Sequence, residues 1–380
     1  MTGATDRRSF LALGASAIAA PALASPALAW AAPADPIANM IVINALGGID
    51  NPNDRTERDR PFLDARALAD ARASGQTAVN VTIGYVAGPD DPFEKSVREV
   101  AQWDRLIRAH PADLVKILTA ADIERAKASG KTGLILGFQN GAMMGKDAAR
   151  VDIFADLGVR IIQLTYNPAN QLGDGSMAPE NRGLTPFGRE VIERLNANKV
   201  MVDLSHSGQR TCLEAARFSS RPISINHTGC RAVTDLPRNK TDEELRLVAD
   251  KGGFVGIYFM PFLNPTGHAR AADVVAHIDH AVNICGEDHV GIGTDGGTSQ
   301  IDDLKAYEAV LAKEIADRRA AGISAAGERP DTYPFVVDLR GPDQFRKLAR
   351  LLDQKGYSTG RIEKILGQNF LRHGREIWGA

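Results

Sequence analysis

Three residues suited to metal or acid–base chemistry stand at the ends of apolar runs. His206 follows Val202-Asp203-Leu204-Ser205, His227 follows Ile223-Ser224-Ile225-Asn226, and Asp295 follows Gly291-Ile292-Gly293-Thr294. Neutral imidazole is the commonest metal ligand, and a carboxylate completes such sites. A catalytic zinc needs about three protein ligands and an open position for water, whose pKa it lowers toward neutrality. His206, His227 and Asp295 would make one such set, with Asp295 also able to accept the water's proton. A lone histidine is more often a hydrogen-bonded structural residue. Two of eight histidines on neighbouring runs, with an acid on the last run, point to metal or catalytic duty. Gln139, Asn140, Tyr166, Asn167 and Asp203 also fall at or near run ends. His277 and His280, three apart on a helical stretch, read as a solvated face.

For these side chains to meet, their runs must be neighbouring strands that end on one face. Apolar β-rich runs lie at residues 40–44, 78–83, 133–138, 159–164, 200–204, 223–226, 254–258 and 289–293. Amphipathic stretches at 92–109, 186–197, 241–250 and 272–285 alternate with them. Continuous apolar runs are what strands covered on both faces look like. Eight of them separated by helices predict a parallel closed sheet, the α/β (β/α)8 TIM barrel, with a C-terminal helical tail. An open doubly wound sheet is the alternative. In a barrel the active site lies at the C-terminal strand ends, where these polar residues fall. A long polar loop at 167–183 is expected at the pocket rim, and 322–334 reads as a surface excursion.

The chain of 380 residues is 44% hydrophobic with a formal net charge of −2, which gives no electrostatic handle for nucleic acid or an anionic membrane. A small molecule is the expected partner. Residues 1–32 have a different composition: Asp6-Arg7-Arg8-Ser9-Phe10-Leu11 resembles a twin-arginine export signal, followed by an apolar run at 11–24. That run is shorter than a membrane-spanning helix, and small-residue cleavage sites end at Ala24, Ala29 or Ala32. The expectation is a periplasmic or secreted protein whose residues 33–380 form one barrel domain. Cys212, Cys230 and Cys285 lack CxxC spacing and read as small buried residues.

Longer words carry a family resemblance. Val159-Arg160-Ile161-Ile162-Gln163-Leu164-Thr165-Tyr166-Asn167, Val202-Asp203-Leu204-Ser205-His206-Ser207, Pro222-Ile223-Ser224-Ile225-Asn226-His227-Thr228, Pro237-Arg238-Asn239 and Gly291-Ile292-Gly293-Thr294-Asp295 resemble the membrane dipeptidase (renal dipeptidase) family. The resemblance implies a binuclear zinc barrel that cleaves dipeptides and related small amides. His206 and His227 match two of the family's metal ligands, Asp295 its catalytic acid/base, and Arg238 the arginine that grips a substrate carboxylate. On sequence alone Arg238 reads as a solvated loop charge.

The departures alter what the resemblance implies. Leu46 and Gly48 stand where the family's first strand carries a His-x-Asp pair, and Gln139 stands where a glutamate bridges the two metals. Tyr166 takes the place of a substrate-binding histidine. A neutral amide does not offset two dications, so the expectation is one Zn2+ and not two, with Tyr166 and Gln139 lining the pocket. Asp50 and Asp54 are the substitutes within reach of the first strand. The leading expectation is hydrolysis of a carboxylate-bearing dipeptide or small amide by metal-activated water, with a homodimer left open. Its rivals are a catalytically degenerate periplasmic binding or scaffold protein, and a hydrolase of a lactone or cyclic amide. Gly291 to Gly296 also fits GxGxxG, but as the last strand of the series it does not open a dinucleotide-binding fold.

Overall fold

The computed structural model describes residues 35–54, 56, 58 and 60–379, so the twin-arginine segment lies outside the described residues. Nine parallel strands are present: β1 Ile43–Gly47, β2 Ala78–Ile83, β3 Leu114–Lys116, β4 Thr132–Phe138, β5 Val159–Gln163, β6 Met201–Asp203, β7 Ser224–Thr228, β8 Phe254–Ile257 and β9 Val290–Ile292. Eight of them follow one another around the sheet in the order β1-β2-β4-β5-β6-β7-β8-β9, and β3 pairs with β4 alone. β3 was not legible as a run. It is three residues long and pairs with the start of β4, before β5 takes over at Leu136.

The ring closes through a seam at β9 and β1. The Asp295 N–H donates to the Leu46 carbonyl at 2.9 Å and the Gly48 N–H to the Gly296 carbonyl at 3.1 Å. Inside, Asn44 Oδ1 accepts from the Thr294 N–H at 2.7 Å while its Nδ2 donates to Thr294 Oγ1 at 2.8 Å. β1 therefore begins three residues later than the expected 40–44. The apolar run sets burial, but the ladder starts where Ile43 meets Ala78, and Asn44 is satisfied inside the barrel.

The barrel core follows from the sequence: every residue of β4 is buried, Thr132 included, as the continuous apolar run that follows Thr132 demands. The last strands approach closely. A Cβ on Gly256 or Gly293 would lie 2.1 or 1.9 Å from the Asn226 carbonyl oxygen, so only glycine fits beside β7 there. Outside, helix Pro92–Ala109 starts where Asp91 caps the Glu94 N–H and a proline occupies the first turn. Helix Pro186–Ala197 starts in the same way behind Thr185. Both match the expected bounds.

Two connections differ from expectation. The loop at 167–183 does not line the large cavity; it packs on the end of β6, its Ser176 N–H donating to the His206 carbonyl at 2.7 Å. The stretch at 322–334 is more than a surface excursion. With helix Leu304–Ala320 it folds over the barrel mouth, where Ile301, Tyr307, Leu311, Ile315 and Phe335 form a small separate core. The helical tail follows, at Gln344–Gln354, Thr359–Glu363 and Asn369–Trp378. Among the described residues no helix is long and apolar enough to cross a membrane. The three cysteines are buried and free, as expected.

Candidate active site

The ends of β6 and β7 bring the two histidines together. Asp203, 1% exposed, accepts from the Ser205 N–H (3.0 Å), the Ser205 hydroxyl (2.5 Å) and the Asn226 N–H (3.0 Å). The Ser205 Oγ in turn accepts from the His227 N–H at 3.0 Å. One buried carboxylate thus ties both strand ends into a fixed relation. Burial pushes its pKa up and the N–H donors pull against that rise. Its strand-end position was legible, but this organising role was not.

The imidazole Nε2 atoms of His206 and His227 face each other at 3.0 Å. His206 Nδ1 lies 2.7 Å from Asn167 Oδ1, and Asn167 Nδ2 donates to the Ile323 carbonyl at 2.8 Å. The amide oxygen only accepts, so Nδ1 of His206 carries the proton and its Nε2 presents a lone pair. Burial holds both histidines well below their ordinary pKa, and the nearby cations Arg238 and Lys240 add to this. Both rings are neutral at physiological pH, the form a metal requires.

These observations test the zinc that the resemblance implies. The His206 lone pair and the His227 Nε2, 3.0 Å apart, are the two donors these residues offer to one divalent ion, with no third side-chain ligand beside them. His227 would hold it by moving its proton to Nδ1, which has no hydrogen-bond partner. A second ion does not fit. Leu46 and Gly48 offer no ligand, and Gln139 turns its Nε2 to Thr82 Oγ1 at 2.5 Å. Asp54 is tied to Arg58 at 2.8 Å, which draws its pKa down to about 2, and Asp50 sits exposed at the rim. Among the described residues no group of three His, Cys, Asp or Glu is placed to hold a metal, so Asp295 does not join the histidines as a third ligand.

In front of the strand ends lies a cavity of about 860 Å³, lined by Leu46, Gly48, Tyr166 and Asp295 and by the segment folded over the mouth. The Tyr166 ring stacks on His206 with centroids 4.2 Å apart, so it stands between that imidazole and the cavity. Burial and the Asp295 carboxylate push its phenol up to about 12. Asp295 itself is pushed up to about 6 by desolvation, against the pull of Arg238 and Arg318. Its φ of +57° is uncommon for a non-glycine residue and is held by the β1 seam bond from its own N–H.

Two expected pocket residues are placed otherwise. Arg238 is 2% exposed and lies off the cavity wall; its Nη1 donates to the Ser205 carbonyl at 2.5 Å and its Nη2 to the His227 carbonyl at 3.3 Å. A solvated loop charge it is not, and its fork is directed at the histidine strands. Gln139 meets Thr82, which lines the cavity, but is not itself on the wall. His277, expected on a solvated face, is fully buried: Nδ1 accepts from the Cys230 N–H and Nε2 donates to the Leu263 carbonyl.

Residues 64–326 match the family model described as membrane dipeptidase, peptidase family M19. An uncharacterized protein in the pqqA 5′ region of Klebsiella pneumoniae is 32% identical over 303 residues, covering 76% of this chain and 98% of that one. The dipeptidase tcpJ of Claviceps purpurea is 30% identical over 280 residues, covering 72% of this chain and 56% of its own. The crystal structure of an amidohydrolase from Pseudomonas aeruginosa superposes with a TM-score of 0.78 at 30% identity, covering 92% of this chain and 100% of the other.

Proposed function

This chain belongs to the membrane dipeptidase family of metallopeptidases, and from that premise we propose that it hydrolyses dipeptides or related small amides with one divalent ion at His206 and His227. The observation that carries this reading is the pair of imidazole nitrogens converging at 3.0 Å. When bound, the ion lowers the pKa of water and polarises the amide carbonyl. The chain's own residues do the rest. Asp295 takes the proton that water loses as its oxygen bonds to the carbonyl carbon. It then gives that proton to the amide nitrogen as the C–N bond breaks. Tyr166, kept protonated, is a donor on the same wall.

The test is turnover of a small dipeptide panel by zinc-loaded protein, before and after chelation. Cleavage that stops on chelation and returns with zinc supports the reading; no cleavage of any dipeptide contradicts it. A metal-free binding protein on the same barrel draws on one observation, the lack of a third ligand beside the histidines. It predicts dipeptide binding without turnover. We also propose that residues 1–32 direct twin-arginine export of the folded barrel, on the strength of Arg7-Arg8 and the apolar run behind them.

A further inference from the structure

Asn167 is 2% exposed and lies off the cavity wall, one residue past the Tyr166 ring that covers His206. Its Oδ1 accepts from His206 Nδ1 at 2.7 Å and its Nδ2 donates to the Ile323 carbonyl at 2.8 Å. A side-chain amide can turn over and exchange its oxygen for its nitrogen, so its neighbours must hold it one way round. Ser176 Oγ, 3.3 Å from Oδ1, is no such hold, because a hydroxyl can donate or accept. The Ile323 carbonyl is one. It only accepts, so it keeps the NH2 group turned to itself and the oxygen turned to His206.

Ile323 belongs to the segment folded over the mouth. It follows helix Leu304–Ala320, whose end is closed by Gly322 at a φ of +67° and by the Ile323 N–H donating to the Arg318 carbonyl at 3.0 Å. That left-handed turn sets where the Ile323 carbonyl points. A Cβ on Gly322 would have no heavy atom within 4 Å, so a side chain there strains the backbone angle without a clash at Cβ. One amide therefore connects the mouth segment to the ring that offers its Nε2 lone pair.

We propose that Asn167 is a positioning residue through which the mouth segment selects the tautomer of His206. With the segment docked, Nδ1 keeps the proton and Nε2 is free to bind an ion. With the segment lifted, the amide is free to turn its NH2 group to Nδ1. The ring then carries its proton on Nε2, and the lone pair there is lost. Docking of the segment and occupation of Nε2 favour each other, as linkage requires. The tautomer is a property of the metal-free chain; only its consequence for zinc rests on the reading of one ion at His206 and His227.

The tautomer is read by nitrogen NMR of metal-free protein labelled at histidine, with the His206 signals assigned by their loss in His206→Ala. In the unmodified chain Nδ1 should carry the proton. Gly322→Val places a branched side chain at a positive φ, which it disfavours. It should shift a measurable fraction of His206 to the Nε2–H form and weaken zinc binding about 10-fold, the lower end of what losing an outer partner of a ligating histidine costs. In an Asn167→Asp background the carboxylate still accepts from Nδ1 without help from Ile323, so Gly322→Val should change neither reading. Asn167→Ala, which makes neither bond, should cancel the Gly322 effect in the same way and serves if the Asp variant melts early. An Nε2–H ring in the unmodified chain, an unshifted tautomer in Gly322→Val, or an equal shift in the Asn167→Asp background each overturns the assignment. Zinc refused by every form would contradict the proposed metal site and leave the tautomer to decide this assignment.

Discussion

Asp295 joins three properties a proton acceptor needs: a place on the cavity wall, a backbone fixed by the β1 seam, and a carboxyl pushed up to about 6. Burial disfavours its charged form, so protonation is complete well below about 6 and the base is present above it. kcat/KM should therefore fall as pH drops through about 6. Asp295→Asn should lower kcat by roughly 100- to 10,000-fold, the usual worth of a positioned general base. A pH–rate profile of the unmodified enzyme that stays flat from 5 to 7 would count against this role. At this scale the sequence located His206, His227, Asp295 and Tyr166, because polar residues at the C-terminal ends of apolar runs have one place to go in a barrel. It did not show where the amide of Gln139 or the fork of Arg238 turns. Orientation depends on partners such as Thr82 and the Ser205 carbonyl, which no local spacing encodes.

The elements hold this geometry through polar groups inside the barrel as much as through apolar ones outside. The β1–β9 seam is the clearest case, since Asn44 satisfies both the N–H and the hydroxyl of Thr294 in a buried setting. Asn44→Ala leaves the buried Thr294 N–H unpaired, while the hydroxyl keeps its bonds to the Gly296 backbone, and should cost about 1–3 kcal/mol. The measurement is a urea midpoint at unchanged m; no shift would mean that the seam is held elsewhere. Helix bounds were legible because caps and prolines mark them, as at Asp91-Pro92 and Thr185-Pro186. The start of β1 was not, because strand register belongs to the partner as well as to the run. β3 was too short to stand out. The segment folded over the mouth was hidden for a related reason: its small core is shared between helix Leu304–Ala320 and Phe335, and neither half shows alone what it covers.

For the molecule as a whole, address and chemistry make separate predictions. If Arg7-Arg8 is the export signal, replacing both with lysine should leave full-length precursor in the cytoplasm, seen by fractionation and immunoblotting; normal export and trimming of that variant would reject the assignment. The central claim is the proposal that the family barrel here takes one ion, at the His206 and His227 pair, and not two. The measurement that bears on it most directly is elemental analysis of zinc-loaded, desalted protein, beside the variants His206→Ala and His227→Ala. The account predicts one divalent ion per unmodified chain and none in either variant. Two tightly held ions per chain, no ion in the unmodified chain, or one that survives in either variant would contradict it.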